Sequence, residues 1–191
     1  LLPVAETPAQ YPGITLMTAV NRSYPQDGLT AGHLLGYLGS VSAEELSGDD
    51  SLTSADLMGR GGLEQQYDQE LRGRGGQRRL LVDARGQVSG TEQLQPAEPG
   101  LNLVTSISAP LQAQVDQALT TALATAGSAD ARAGAVVLDV RTGRVLALGS
   151  KPDFSPAQWV GGITEDDYER LSDSGALIDY PVSGTSPPGS A

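Results

Sequence analysis

The chain has 191 residues, a net charge of −11, no cysteine and only 4% aromatic residues. That length accommodates one domain or two small ones, with cores resting on Leu, Val, Ile and Ala. The acidic balance excludes nucleic acid as a partner, because phosphate binding needs a basic face. The missing cysteine excludes disulfides, thiolate metal sites and thiol nucleophiles.

The first hundred residues are rich in glycine and charge. Leu1-Leu2-Pro3 reads as a processing boundary, and no apolar run approaches the roughly 20 residues that span a bilayer. Ile14 to Val20 is an expected strand, and Tyr24-Pro25-Gln26-Asp27-Gly28 a turn. Ala31 to Leu38 is a short apolar helix or extended piece carrying His33, the single histidine. Ser54 to Leu71 is expected to be helical, interrupted by Gly59, Gly61 and Gly62, with Leu63, Tyr67 and Leu71 on one face. Arg78–Val82 and Val88–Leu94 flank a glycine turn and predict a β-hairpin. Residues 95–100 form a polar, proline-containing connector.

The pattern sharpens after the connector. Leu101 to Ile107 predicts a strand, and Ser108 an N-cap followed by Pro110 in the first turn. Leu111, Val115, Ala118, Leu119, Ala122 and Leu123 then form the apolar stripe of an amphipathic helix ending near Ala126. Ala133–Val140 and Arg144–Gly149 predict a core hairpin with the helix packed on it. Ser150 to Trp159 reads as irregular, and Thr164 followed by three acids marks the start of a helix to Leu171.

Few residues carry a chemical signal of their own. His33 lies in an apolar stretch with no patterned partner, so its plain reading is structural, and no Gly-x-Ser-x-Gly elbow exists to pair with it. Asp49-Asp50 and Asp166-Asp167 lack the alternating spacing of a calcium loop and read as solvated acids. The five arginines between Arg72 and Arg85 read as a helix end followed by a solvated hairpin, with an anionic partner surface as the competing reading. Glycine clusters at 59–62 and 73–76 follow no predicted strand and end in no Gly-Lys-Ser/Thr, against a phosphate loop. Pro187-Pro188-Gly189-Ser190 is, by itself, a common turn.

Taken in order, these segments resemble the class B penicillin-binding proteins, the monofunctional peptidoglycan transpeptidases. The resemblance rests on Leu103–Gln112, on the Ala133–Leu148 hairpin and on Ser150-Lys151-Pro152-Asp153-Phe154-Ser155-Pro156. It continues through Trp159–Thr164 with Tyr168 and Leu171, which look most like the elongation-type penicillin-binding protein 2 group. Upstream, Arg22-Ser23-Tyr24-Pro25, His33–Gly39 and Gly59–Asp68 with Leu71-Arg72-Gly73 resemble the N-terminal pedestal. Asp179-Tyr180-Pro181-Val182 departs from the commoner Asn-Arg-Ala approach to the nucleophile.

The resemblance implies an α+β fold: a mixed pedestal over residues 1–100, then the start of a transpeptidase domain over 101–191, with an antiparallel sheet flanked by helices. It implies Ser190 as the nucleophile of a Ser-x-x-Lys motif whose lysine falls two residues past Ala191. Lys151, the sole lysine, has no serine three residues before it, so the 191-residue chain is expected to be inert by itself. The implied substrates are peptidoglycan stem peptides, and β-lactam antibiotics are acylating inhibitors. The implied partners are a membrane glycosyltransferase and elongation-complex proteins. The implied location is the extracytoplasmic face of the bacterial membrane, with an N-terminal transmembrane anchor upstream of residue 1. No cofactor or metal is expected. Two alternatives stay open: a non-catalytic pedestal module of the elongation machinery, and a serine β-lactamase or β-lactam sensor.

Overall fold

The computed structural model describes residues 22–24, 31–84, 88–128 and 130–185. Its architecture is α+β, built of short helices and three two-stranded antiparallel sheets. The expected strand at 14–20, most of the turn at 24–28 and the motif at 187–190 lie outside these residues.

Helix α1 (Gly32–Leu35) runs directly into strand β1 (Tyr37–Ser40), so the expected apolar piece is helix and strand in succession. Helix α2 (Ala43–Gly48) begins with a complete capping box. Glu45 N donates to Ser42 Oγ, and Ser42 N donates to Glu45 Oε2. Strand β2 (Leu57–Arg60) pairs with β1 from Tyr37↔Arg60 to Ser40↔Leu57. This corrects the expectation of helix from Ser54 onward: cross-strand pairing overrides the helical propensity of Leu57, Met58 and Arg60.

The first glycine cluster follows a strand after all, since Gly61 and Gly62 link β2 to helix α3 (Gly62–Gln66). Its purpose is close backbone packing. A Cβ on Gly62 would lie 2.5 Å from the Leu34 carbonyl oxygen and 2.6 Å from Gly36 N, and Gly62 has a φ of 52°. Helix α4 (Asp68–Arg72) follows a break at Tyr67, whose φ of −116° interrupts the single helix expected here. Asp68 ties this corner together: Oδ1 accepts from Gly59 N at 2.8 Å, and Oδ2 lies 3.3 Å from Arg72 Nε. Arg22 reaches the same region, with Nη2 donating to Glu64 Oε2 at 3.0 Å.

Strands β3 (Gln77–Val82) and β4 (Val88–Gln95) form the expected hairpin. Residues 101–107, expected as a strand, have no regular structure. Among the described residues their hydrogen bonding to the next sheet is Ser106 Oγ donating to Val145 O, followed by Ser108 N donating to Leu146 O at the start of the next helix. Two bonds do not make a ladder, and Val104 stays 92% exposed.

Helix α5 (Ala109–Ala126) packs on the hairpin of β5 (Ala133–Leu138) and β6 (Val145–Lys151). Its most buried positions are Gln112, fully inaccessible, and Asp116, whereas Ala118 and Ala122 of the expected stripe face solvent. Gln112 acts as a one-residue strand on the free edge of β6. Its Oε1 accepts from Leu148 N at 2.8 Å, and its Nε2 donates to Leu148 O at 2.9 Å. Beyond β6 come a single 3₁₀ turn (Pro156–Trp159), helix α6 (Glu165–Asp173) capped by Thr164, and helix α7 (Tyr180–Ser183). The core gathers Phe154, Leu171 and Ala176, with Tyr37, Trp159, Ile163 and Leu177 packed against them.

Two expected outcomes follow from these contacts. Gln112→Leu strands both polar groups of Leu148 and should cost about 1–3 kcal/mol, read as a lower urea midpoint; a change within about 0.5 kcal/mol would show that the amide pairing contributes little. Glu45, held by Arg60 (2.6 and 2.7 Å) and the Ser42 amide, has its carboxyl lowered to about 2, first by the Arg60 hydrogen bonds. Its stabilising contribution is therefore full above the unfolded value of 4.5 and is lost as pH falls through about 2. A carboxyl NMR titration with a midpoint near 4.5 would contradict the pairing.

Candidate functional site

Residues from the two halves of the chain meet at one seam, where α1 and β1 press against the segment after β6. Gly32 is buried, and a Cβ there would lie 2.3 Å from the Phe154 carbonyl oxygen. The His33 ring stands edge-on to Phe154 at 5.1 Å, and Tyr37 does so at 6.0 Å. Tyr37 also stacks on Trp159, with centroids 3.7 Å apart and planes 18° from parallel. Tyr168 of α6 closes the cluster, edge-on to Trp159. Burial pushes the Tyr37 hydroxyl up and the His33 imidazole down.

The segment approaching the expected nucleophile starts on the far side of this seam. Ser150, buried on β6, donates from Oγ to Ile178 O and accepts from Tyr180 N, both at 3.1 Å. Asp179 is the N-cap residue of α7, and burial raises its carboxyl. Ser190 itself lies outside the described residues, so no geometry attaches to it. Lys151 Nζ sits 2.9 Å from Asp153 Oδ2 in a well-shielded ion pair, a structural use of the sole lysine. Sequence reasoning singled out neither Ser150 nor Gln112. A serine inside a family-like segment and a glutamine on a helix carry no signal until the backbone groups they complete are known.

One member of each acidic pair is used locally. Asp49 accepts from Ser51 N and Oγ, and Asp167 from Arg170, while Thr164 Oγ1 accepts from the Asp167 amide. Hydrogen bonds lower both carboxyls, first from Ser51 and first from Thr164 respectively. Arg72, Arg74 and Arg79 pair with Asp68, Glu98 and Glu92, as a helix end and a solvated hairpin require. A groove of 1370 Å³ runs past Arg60, Asp68, Arg72, Glu98, Asn102 and Trp159. Among the described residues it joins no nucleophile to a base.

The penicillin-binding protein dimerisation domain family matches residues 2–105, more than half of the chain. The chain belongs to that family. Over 97% of its length it is 33% identical to the peptidoglycan D,D-transpeptidase MrdA of Acinetobacter baumannii. Over 95% it is 31% identical to the MrdA of Escherichia coli K12. It covers 27% and 28% of those proteins. Among solved structures, penicillin-binding protein 2 of Helicobacter pylori, in its complex with MreC, superposes with a TM-score of 0.72 at 28% identity. That match spans 93% of this chain and 32% of the other. The pedestal family thus accounts for the β1–β2 corner and the β3–β4 hairpin, and the longer matches carry the likeness through α7.

Gly32→Ala should open the seam, at a cost of about 1–3 kcal/mol, because its Cβ has backbone and not a flexible side chain in its way. Gly48→Ala, in the exposed helix α2 with nothing within 4 Å of its Cβ, should be neutral or slightly stabilising. Equal unfolding midpoints for the two variants would mean that α1 does not dock as described.

Proposed function

We propose that this chain is the pedestal and the start of the transpeptidase domain of a peptidoglycan D,D-transpeptidase of the elongation type, with residues 1–100 and 101–191 as the two parts. The observation that carries the reading is likeness to the MrdA enzymes along nearly the whole chain, not only over the pedestal family's 2–105. Ser190 is the acyl acceptor in this reading. The lysine that Ser-x-x-Lys requires three residues on takes the hydroxyl proton, since three helical residues make nearly one turn and bring amine and hydroxyl together. Ser190 Oγ then attacks the penultimate D-Ala carbonyl, the C–N bond to the terminal D-Ala breaks, and the departing amine takes the proton. An amine of a neighbouring stem peptide attacks the ester and releases the serine. Backbone N–H donors stabilise the oxyanion at each tetrahedral stage. β-Lactams acylate the same serine as their ring C–N bond opens, and the resulting acyl-enzyme hydrolyses slowly.

The same reading places the protein on the extracytoplasmic face of the membrane, held by an N-terminal transmembrane helix. Among the described residues no helix is long and apolar enough to cross a membrane. The pedestal engages elongation-complex proteins and a membrane glycosyltransferase; the H. pylori relative in complex with MreC supports the first of these.

A fluorescent penicillin should label the full-length protein and fail to label Ser190→Ala, a loss of at least 100-fold (about 2.7 kcal/mol at the barrier). Labelling of both proteins at the same rate would remove Ser190 from the mechanism.

A further inference from the structure

The chain's single histidine sits where its charge matters most for the seam. His33 enters from α1 and lies edge-on against Phe154, in the core that Ala176 shares. Its Nε2 is buried without a hydrogen-bond partner, and so is Asp179 Oδ1 at the cap of α7. Charged groups near the imidazole come from several elements: Lys151 at the end of β6, Asp153 just after it, Asp116 on α5 and Asp179 before α7, while α3, packed against α1, carries Glu64 in its ion pair with Arg22. The cavity that His33 shares with Asp116, Ser150 and Asp153 is about 10 Å³, too small to give an imidazolium a hydration shell. Asp179 and Asp153 favour the charged ring and Lys151 opposes it, but burial outweighs them and the docked ring is held neutral.

We propose that α1 is a proton-released latch, in which a single proton on His33 loosens the docking of Gly32, His33 and Tyr37 against Phe154 and Trp159. The buried site cannot solvate the cation, whereas an undocked α1 gives it to water. The sign follows from linkage. A histidine whose docked value lies below its free value of 6.5 contributes docking strength that is full above 6.5 and declines as pH falls through 6.5 toward the docked value. The docking equilibrium changes by at most about tenfold per pH unit in that window.

Trp159 reports the event directly, because its stacking partner Tyr37 leaves with α1. In the full-length protein, Trp159 emission is taken as the difference between wild type and Trp159→Phe, recorded from pH 8 to pH 5. The expected result is a red shift with a one-proton midpoint below 6.5 and no accompanying change in far-UV circular dichroism. His33→Phe and His33→Gln should abolish the shift, the second keeping a hydrogen-bonding group of similar size. Asp179→Asn should move the midpoint further down, since it removes the charge that favours the imidazolium. A flat wild-type signal overturns the latch, as does the same transition in either His33 variant or a transition that coincides with global unfolding. The measurement uses neither penicillin nor peptide, so it stands apart from the role of Ser190.

Discussion

The contact between Gly32 and the Phe154 backbone governs how the rest of this molecule is arranged. The chain has one phenylalanine, one tryptophan and one histidine, and all three gather at this seam with Tyr37 and Tyr168. In a chain with so little aromatic surface, concentrating it in one place gives a seam that smaller apolar contacts elsewhere do not match. The arrangement works only because α1 approaches without a side chain at position 32. A larger residue would hold the helix off, and the rings of His33 and Tyr37 would lose Phe154 together.

Away from the seam, buried polar side chains finish what short strands cannot. Among the described residues each sheet has two strands, so every ladder leaves outer edges there. On β6 the free edge at Leu148 is completed by the Gln112 amide, and the Ser150 hydroxyl joins the strand to the 178–180 backbone. Elsewhere the open side remains: Val136 and Leu138 on β5 are about half exposed, with side chains that a packed sheet would cover. The fold thus spends its polar residues on satisfying backbone and its few aromatics on joining the two halves.

Much of this was legible in the sequence, and the failures share a cause. Helix α5, the β5–β6 hairpin, the β3–β4 hairpin and the Thr164-capped α6 follow from local rules of periodicity, turn chemistry and capping. Strand β2 did not, because Leu57-Met58-Gly59-Arg60 has helix-favouring residues and becomes a strand only by pairing with β1. The irregular 101–107 stretch erred the opposite way, its strand-like composition lacking a partner ladder among the described residues. On α5 the helix was right and its face was partly wrong. Apolar spacing pointed to Ala118 and Ala122 as well as to Val115 and Leu119, which do meet β6, but the most buried positions are Gln112 and Asp116, and the burial of Gln112 depends on the Leu148 backbone of another element. The candidate nucleophile came from ordered resemblance alone, since Pro-Gly-Ser carries no chemistry that a single turn would not.

The placement of His33 and Ser150 gives the seam a mechanical meaning. Residues 176–180 are held from two directions: Ala176 packs in the core with Phe154, the ring that His33 of α1 touches, and Ser150 of β6 takes both Ile178 O and Tyr180 N. Ser150 belongs to the same sheet that α5 buttresses, so its grip is fixed by extensive packing. The α1 side depends on a four-residue helix that meets the Phe154 segment through one glycine and one ring contact. Two restraints of unequal stiffness on one short segment mean that displacement concentrates at the weaker one. Movement of α1 therefore alters the start of the 176–180 segment while its far end stays attached to β6, and that segment is the one leading by sequence toward Ser190.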